Sequence, residues 1–562
     1  MDEAKFTGSY YTPKILADFL VDHIFTKYIN NVTLDILEPS CGDGQFISSF
    51  FDNITPARFK KLTLDFIDID GSELKKAIDK VPVAIPNLIY NPIEGDYLDW
   101  FRTHNKRYNV ILGNPPYIRK RHMKTEQIES CEKCHDLARV QSPCINSKFK
   151  INNIWTVFME LSILSLTDDG VLCFVLPSDI LQVNYAKEIR ELMQHEFERV
   201  EIFAFNELIF ENIQQDVVAV VAVKRILNPE KRGFSFYQVE ALNDLKEPAF
   251  TEKYNNIHHT SLNKWTNYLL SPEDLDFIAP LRQQYAVMSS FCEKISAGIV
   301  TAANDFFIVD KKTLKKNGLE KHNQLSHVLL KGSMIVPLVH FQRDDLKRMI
   351  EKNSRVFFLQ GPNEPKSRLS IEFLEYVVIA EAITRVHKRF KMTERENWYH
   401  VPNIWSSALL FAKRCDEFPR LIVNSENLIA TDSFYRVIPK ENVNGKILTF
   451  CFYNSLTLLL AEMEGRYYGG GVLELTPNEF KRLAIPYQLN ITEENFNTLD
   501  NMFRSERNIE EILSFTDPIL LPNLSIDQIE HLRTLRKKLV NRRHKSGMSD
   551  EAVEGVFFHE LA

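Results

Sequence analysis

Leu34-Asp-Ile-Leu-Glu-Pro-Ser-Cys-Gly-Asp-Gly-Gln-Phe46 is an apolar run that ends in an acid and then turns through two glycines into a new segment. Its first four residues read as a buried strand, and Gln45 to Phe51 reads as the helix that leaves the turn. Gly42 and Gly44 let the backbone come close to a ligand, because no side chain stands in the way. A ligand-free tight turn is nearly as good a reading of this stretch taken alone.

The alternation seen there continues along the chain. Further strands are expected at Leu64 to Ile69, Leu88 to Tyr90, Asn109 to Leu112, Val171 to Leu176, Val200 to Phe205 and Val217 to Lys224. Helices are expected at Ser72 to Lys80, Ile154 to Leu166 and Tyr185 to Glu196, with Thr12 and Pro13 as N-cap and first position of another through about Ile29. Strand and helix by turns signal an α/β domain, doubly wound around a mostly parallel sheet. After Arg225 the alternation gives way to longer mixed segments rich in aromatics, which places a boundary near residues 226 to 245. The 562 residues therefore divide into a Rossmann-like domain over 1–240 and a mixed α/β domain over 241–562. Lys120 to Lys150 reads as a long loop inserted in the first domain.

Composition is that of a globular protein, with 44% apolar and 25% charged residues. The amino terminus lacks a cationic stretch followed by an apolar core, and the longest aliphatic run, Val217 to Val223, is too short to span a bilayer. Eight scattered cysteines form no disulfide framework, so a cytoplasmic chain with no membrane partner is expected. The net charge of −7 argues mildly against a nucleic-acid partner. Local charge points the other way: Arg385, Lys388, Arg389, Lys391 and Arg395 cluster together, and His531 to Lys545 holds seven Lys or Arg and no acid. A solvated helix face is the bland reading of either run.

Three acids sit where nucleoside-binding sheets place carboxylates. Glu38 ends the first strand, Asp68 ends the next in Phe66-Ile-Asp-Ile-Asp70, and Asp96 follows a third in Gly95-Asp-Tyr-Leu-Asp99. Asp68 is placed for ribose hydroxyls, a job Asp70 shares unless it caps the following helix, and Asp96 with Tyr97 for an adenine ring and its amino group. The decisive stretch is Asn109-Val-Ile-Leu-Gly-Asn-Pro-Pro-Tyr117, a strand that ends in a rigid polar turn capped by an aromatic. An exocyclic amine on a heterocycle is a weak nucleophile, because its lone pair is delocalised into the ring. The side-chain oxygen of Asn114 and the carbonyl of Pro115 accept both amino hydrogens and favour a pyramidal nitrogen. Pro115 and Pro116 stiffen the turn and bring no competing donor. Positioning and electrostatics then supply the catalysis. Tyr117 offers a ring face to a base swung out of its stack.

At these residues the chain resembles the gamma-class DNA adenine-N6 methyltransferases of type II restriction-modification systems, in which the cofactor region precedes the catalytic motif and a target recognition domain comes last. The likeness takes in Gly8-Ser-Tyr-Tyr-Thr-Pro13, Asn153-Ile-Trp-Thr-Val-Phe158 and Gly170-Val-Leu-Cys-Phe-Val-Leu-Pro177. It implies S-adenosyl-L-methionine as cofactor, held by Tyr11, Thr12, Glu38, Pro39, Ser40, Cys41, Gly42, Gly44, Asp68, Ile69, Asp96, Tyr97, Asn114, Pro116 and Phe158. Thr12 would contact the methionine end and Glu38 its amino group. Phe210, in Leu208-Ile-Phe-Glu-Asn-Ile-Gln-Gln-Asp216, matches the second aromatic that sandwiches the flipped base against Tyr117; an ordinary core Phe is the alternative. Double-stranded DNA is the implied partner of a monomeric, nucleoid-associated enzyme, with a cognate restriction endonuclease as functional partner. The second domain resembles a target recognition domain through Gly298-Ile-Val-Thr-Ala-Ala-Asn-Asp-Phe-Phe307 and Glu464-Gly-Arg-Tyr-Tyr-Gly-Gly-Gly-Val-Leu-Glu-Leu475.

Cys131, Cys134, His135 and Cys144 would suffice for a structural zinc, but their spacing is not that of a zinc ribbon, and free thiols on a mobile loop with no bound metal are expected. An RNA adenine-N6 methyltransferase and a protein glutamine-N5 methyltransferase share the turn's electronic logic. The second leaves about 300 residues after Arg225 unexplained. No paired-acid-plus-Lys nuclease motif stands in the second half, so an enzyme separate from its nuclease is expected.

Overall fold

Val217–Val223, seven aliphatic residues with no polar interruption, is buried on both faces and can only be an interior strand. In the computed structural model it is β7 of an eight-stranded sheet. The others are β1 (Thr33–Glu38), β2 (Lys61–Asp68), β3 (Leu88–Glu94), β4 (Tyr108–Gly113), β5 (Leu166–Pro177), β6 (Arg199–Phe205) and β8 (Gly233–Val239). The structure describes residues 11–544 apart from 84, 143, 144, 146–150, 208, 211–215, 248, 249, 254–256 and 468–470.

Strand order is β3-β2-β1-β4-β5-β7-β6-β8. Pairing is parallel from β3 through β5, and β7 runs antiparallel between β5 and β6. The doubly wound α/β class expected from the sequence is thus present. Pro92 lies in β3, which tolerates it because β3 is an edge strand. Seven helices matter below: α1 (Lys14–Lys27), α2 (Gln45–Asn53), α3 (Gly71–Asp79), α4 (Tyr97–Thr103), α5 (Thr125–Gln141), α6 (Ile154–Ser165) and α7 (Lys187–Glu196). The first starts after Pro13 with no side-chain cap, so Thr12 is not the N-cap expected; its side chain is buried instead.

A buried charge cluster fastens α1 to the sheet. His23 Nε2 lies 2.6 Å from Glu201 Oε2, and Arg199 donates to Glu201 Oε1 at 3.0 Å and to Ser235 at 2.8 Å. Burial alone would raise the Glu201 carboxyl, but His23 and Arg199 more than offset it and hold it far below the usual carboxylate range.

The chain divides into two compact units, the first running to Asp276 and the second spanning Phe277–His544. The boundary read near 240 differs from this division. Leu245, Phe250, Trp265 and Tyr268 join the first unit's core, with the Phe234 and Tyr268 rings stacked 4.9 Å apart. Lys120 to Lys150 is also not simply a loop, since α5 occupies seventeen of its residues.

The second unit is mixed α/β. A five-stranded sheet runs His340–Phe341, Leu421–Asn424, Leu409–Ala412, Phe434–Pro439, Cys292–Ala297, and a four-stranded sheet joins Ile308–Val309, Phe357–Leu359, Leu325–Leu329 and Ile429–Ala430. It closes with helices at Glu493–Arg504, Ile509–Leu520 and Ile526–His544. Among the described residues, no helix is long and apolar enough to cross a membrane.

Candidate active site

In a parallel sheet, ligands bind beyond the carboxyl ends of the strands where the order reverses. Here that point is β1, which pairs with β2 on one side and β4 on the other. Glu38 ends β1, Asp68 ends β2 and Gly113 ends β4. The loop after β1 is held by backbone bonds from Cys41 N–H to the Ile67 carbonyl (2.9 Å) and from Gly44 N–H to the Cys41 carbonyl (2.8 Å). Gly44 has φ +79°, and a Cβ there would lie 2.7 Å from Ala77 Cα of α3. That position needs glycine for its backbone and for its closeness to α3. Gly113, at φ +146°, would set a Cβ 3.5 Å from Glu38 Cγ.

Glu38 is the least accommodated group at this edge. It is 1% exposed, and its Oε2 has no hydrogen-bond partner among the described residues. Burial, and then the charges of Asp43 and Asp68, push its carboxyl well above the usual range, against the pull of Lys80. A carboxyl so placed stays neutral unless a cation arrives to pair with it.

Asp68 does double duty. Its Oδ2 accepts from Gly42 N–H at 2.7 Å and its Oδ1 from Asp70 N–H at 2.9 Å, so it shapes the loop it faces. Burial still raises its carboxyl. Asp70 takes the capping role, accepting from Ser72 N–H at 2.8 Å, and Asp96 caps α4 through Leu98 N–H at 2.8 Å. Tyr97 is buried with its ring 5.1 Å from Phe158 on α6 and its hydroxyl 3.4 Å from Ser162, a partner the sequence did not suggest. Ile69, at the tip of β2, stands 71% exposed. Tyr11 is exposed too, and a Cβ at Gly42 would lie 3.8 Å from its ring. Pro39 and Cys41 are buried and Ser40 half-buried in the same loop.

The Asn114–Tyr117 turn follows β4. The Tyr117 hydroxyl reaches both Asn114 Oδ1 (2.5 Å) and the Val175 carbonyl of β5 (2.9 Å). One hydroxyl has one proton, so it serves one of these acceptors at a time. The Tyr117 ring is only 7% exposed, and Phe210, on the connection from β6 to β7, is 6% exposed. Both rings are packed in the first unit's core.

Two family descriptions match this chain: "Eco57I restriction-modification methylase" over residues 49–210, and "Type II methyltransferase M.Eco57I, C-terminal domain" over 262–521. The first contains the Asn114–Tyr117 turn. The chain belongs to the type II restriction-modification methyltransferases. Type II methyltransferase M.AccI of Acinetobacter calcoaceticus is 21% identical over 86% of this chain and 86% of its own. M.BanIII of Aneurinibacillus aneurinilyticus is 21% identical over 79% of this chain and 83% of its own. The solved DrdV–DNA complex aligns with a TM-score of 0.49 at 12% identity, covering 89% of this chain and 58% of that one.

In this methyltransferase the cysteines singled out by spacing have another role. Cys131 and Cys134 lie on α5, not on a loop, and burial pushes both thiols up to about 12. His135 Nδ1 pairs with Glu160 Oε2 of α6 at 2.8 Å. Cys144 lies outside the described residues, as do Gly8 to Tyr10 of the amino-terminal motif and Tyr468 to Gly470 of the glycine turn. Beside that turn, Arg466 is bonded to Glu479 at 3.0 Å. The arginines of the basic run at the carboxyl end are not a surface: Arg533, Arg536, Arg542 and Arg543 are all buried, while Lys537 and Lys538 are exposed. Arg533 bonds Asp517 at 2.9 Å, Arg536 bonds Glu510 at 2.7 Å and Arg543 bonds Glu462 at 3.0 Å.

Proposed function

We propose that this methyltransferase moves a methyl group from S-adenosyl-L-methionine to the N6 amino group of an adenine turned out of double-stranded DNA, modifying sites against a cognate restriction endonuclease. The observation that carries the cofactor is Glu38. Its unpartnered Oε2, crowded by Asp43 and Asp68, suits the ammonium of the methionine end. The glycine loop beside it leaves room for the chain of the ligand, Asp68 borders the ribose, and exposed Ile69 with Asp96 borders the adenine. When bound, the cofactor supplies a methyl group activated by its positively charged sulfur. A cationic ligand also matches the acid cluster at this edge.

The chain's own part is to prepare the amine. Asn114 Oδ1 and the Pro115 carbonyl accept its two hydrogens and hold its lone pair toward the methyl group. Pro116 keeps the turn rigid. For Asn114 to do this, the Tyr117 hydroxyl gives up Asn114 and keeps Val175, which leaves the ring to turn toward the incoming base with Phe210 opposite. The first unit would bind cofactor and the second would choose the DNA site, in a cytoplasmic, monomeric enzyme. DNA is favoured over RNA and over a protein glutamine by the M.Eco57I-type carboxyl-terminal match, which spans most of the second unit.

The test is labelled methyl incorporation into plasmid DNA, followed by mapping of N6-methyladenine. Wild-type protein should label DNA at a defined sequence. Asn114→Ala should lose at least about a hundredfold in rate with cofactor affinity largely kept, the scale of removing one preorganised polar contact from an active site. Label on cytosine, or near-normal labelling by the variant, would sink the reading.

A further inference from the structure

The second basic run does not behave as one unit. Arg389 forms a two-pronged pair with Asp305 (2.9 and 2.8 Å), and Arg395 donates to the carbonyls of Val300 and Thr301 (3.0 Å each). Together they brace the Gly298–Phe307 segment, where Ala302 holds a strained φ of +62°. Val386 and Met392 are buried and pin the run from beneath. What remains points outward: Arg385, Lys388 and Lys391 are exposed and make no ion pair among the described residues, and no carboxylate occurs between Glu381 and Glu394. In their midst stands Phe390, 77% exposed at the start of the short helix Phe390–Thr393.

An aromatic ring held in water on a rigid base, with cations on both sides, has the chemistry of a nucleic-acid contact. Phosphates take the cations, and a base step or groove wall takes the ring. Proteins that distort DNA use apolar wedges of this kind. We infer that residues 385–391 are a DNA-contacting ridge of this methyltransferase, with Arg385, Lys388 and Lys391 on phosphates and Phe390 packed into the duplex to ease distortion near the target base. This rests on the DNA-methyltransferase reading. A protein partner is the competing occupant, because Ile379 and Ile383 of the preceding helix Ile371–Ile383 are exposed as well.

The experiment uses the full chain and a duplex carrying its mapped methylation site. If wild-type protein places no methyl group on DNA, the underlying reading fails and the ridge with it. If it does, Lys388→Gln with Lys391→Gln should flatten the slope of log affinity against log salt by roughly one per lysine. Phe390→Ala should raise KM for DNA by about fivefold or more, the low end of what a lost base–aromatic stack removes, and Phe390→Trp should recover most of it. The melting midpoint should be unchanged in each, since these side chains pack against nothing internal. Wild-type salt slopes and KM in all the variants, with wild-type protein active, overturn the ridge. An altered oligomeric state in Phe390→Ala at unchanged KM overturns it too, and assigns this face to a protein.

Discussion

Replacing Glu38 by Gln separates a binding carboxylate from a structural one, because the two roles predict changes of opposite sign. The Glu38 carboxyl is buried, short of a partner at Oε2, and raised above its ordinary range first by burial and then by Asp43 and Asp68. A group whose folded pKa lies above its unfolded value contributes stability that is full below the unfolded pKa and lost as pH rises through the folded one. Ionised Glu38 therefore weakens the unliganded fold at the alkaline end. Gln keeps the shape and never ionises, so Glu38→Gln should raise the unliganded melting midpoint there. Removing an uncompensated buried charge is worth at least the cost of an unsatisfied buried polar group, about 1–3 kcal/mol, and each kcal/mol moves the midpoint of a unit this size by about 2–4 °C. Cofactor binding should move the other way. Losing a hydrogen bond to a charged group costs about 1.5–3 kcal/mol, or roughly 10–150-fold in Kd. Calorimetric titration with S-adenosylmethionine in two buffers of different ionisation enthalpy adds a third reading. Wild-type protein should release a proton on binding wherever Glu38 is protonated beforehand, and the variant should not. A Glu38→Gln protein that melts lower and binds the cofactor as tightly as wild type would refute the reasoning, since Glu38 would then be a structural acid.

Gly44→Ala should damage fold and binding together: the left-handed backbone costs about 1–2 kcal/mol, and forcing a methyl against Ala77 costs about 1–3 more. Melting and cofactor titration check it, and a midpoint within about 1 °C of wild type would show the loop adapting. Tyr117→Phe removes the hydroxyl that competes for Asn114, a bond worth about 0.5–1.5 kcal/mol net, so methylation rates should stay within about tenfold of wild type in either direction. Tyr117→Ala should fall much further, and equal losses in the two variants would mean that the hydroxyl, not the ring, serves the chemistry.

The strands legible in the sequence were β1 through β7, and the clearest were those with nearly uninterrupted apolar runs. β6, β7, most of β4 and β5 from Gly170 onward are buried on both faces, and burial on both faces is what such a run encodes. β8 escaped notice because it is an edge strand in which Ser235 and Gln238 break the run. Helix α5 was hidden by chemistry that pointed elsewhere. Cys131, Cys134, His135 and Ala138 recur at helical spacing and form its buried face, but cysteine and histidine so spaced also look like metal ligands. At the site, the acids and the Asn-Pro-Pro-Tyr turn were readable because their order along the chain follows the strand ends. The Tyr117–Val175 bond was not, because its acceptor is a backbone carbonyl 58 residues away.

Charge density was the least transferable signal, and the two basic runs show why. A local excess of Lys and Arg marks a surface only when no carboxylate arrives from elsewhere to meet it. In the helix Ile526–His544, the acids that meet the arginines are Asp517, Glu510 and Glu462, on two other helices and up to 81 residues distant. Removing one partner from such a buried pair strands a charge, so these arginines are committed to holding the second unit together. From Arg385 to Arg395 the division is made within a single run. The guanidinium groups of Arg389 and Arg395, with forked geometry suited to carboxylates and carbonyls, are tied to a strained loop, Arg389 at the surface and Arg395 half-buried. Arg385 and the two lysines Lys388 and Lys391 stay in water around Phe390. The face proposed to meet DNA is therefore defined by which cations the fold leaves over, a remainder that composition alone does not contain.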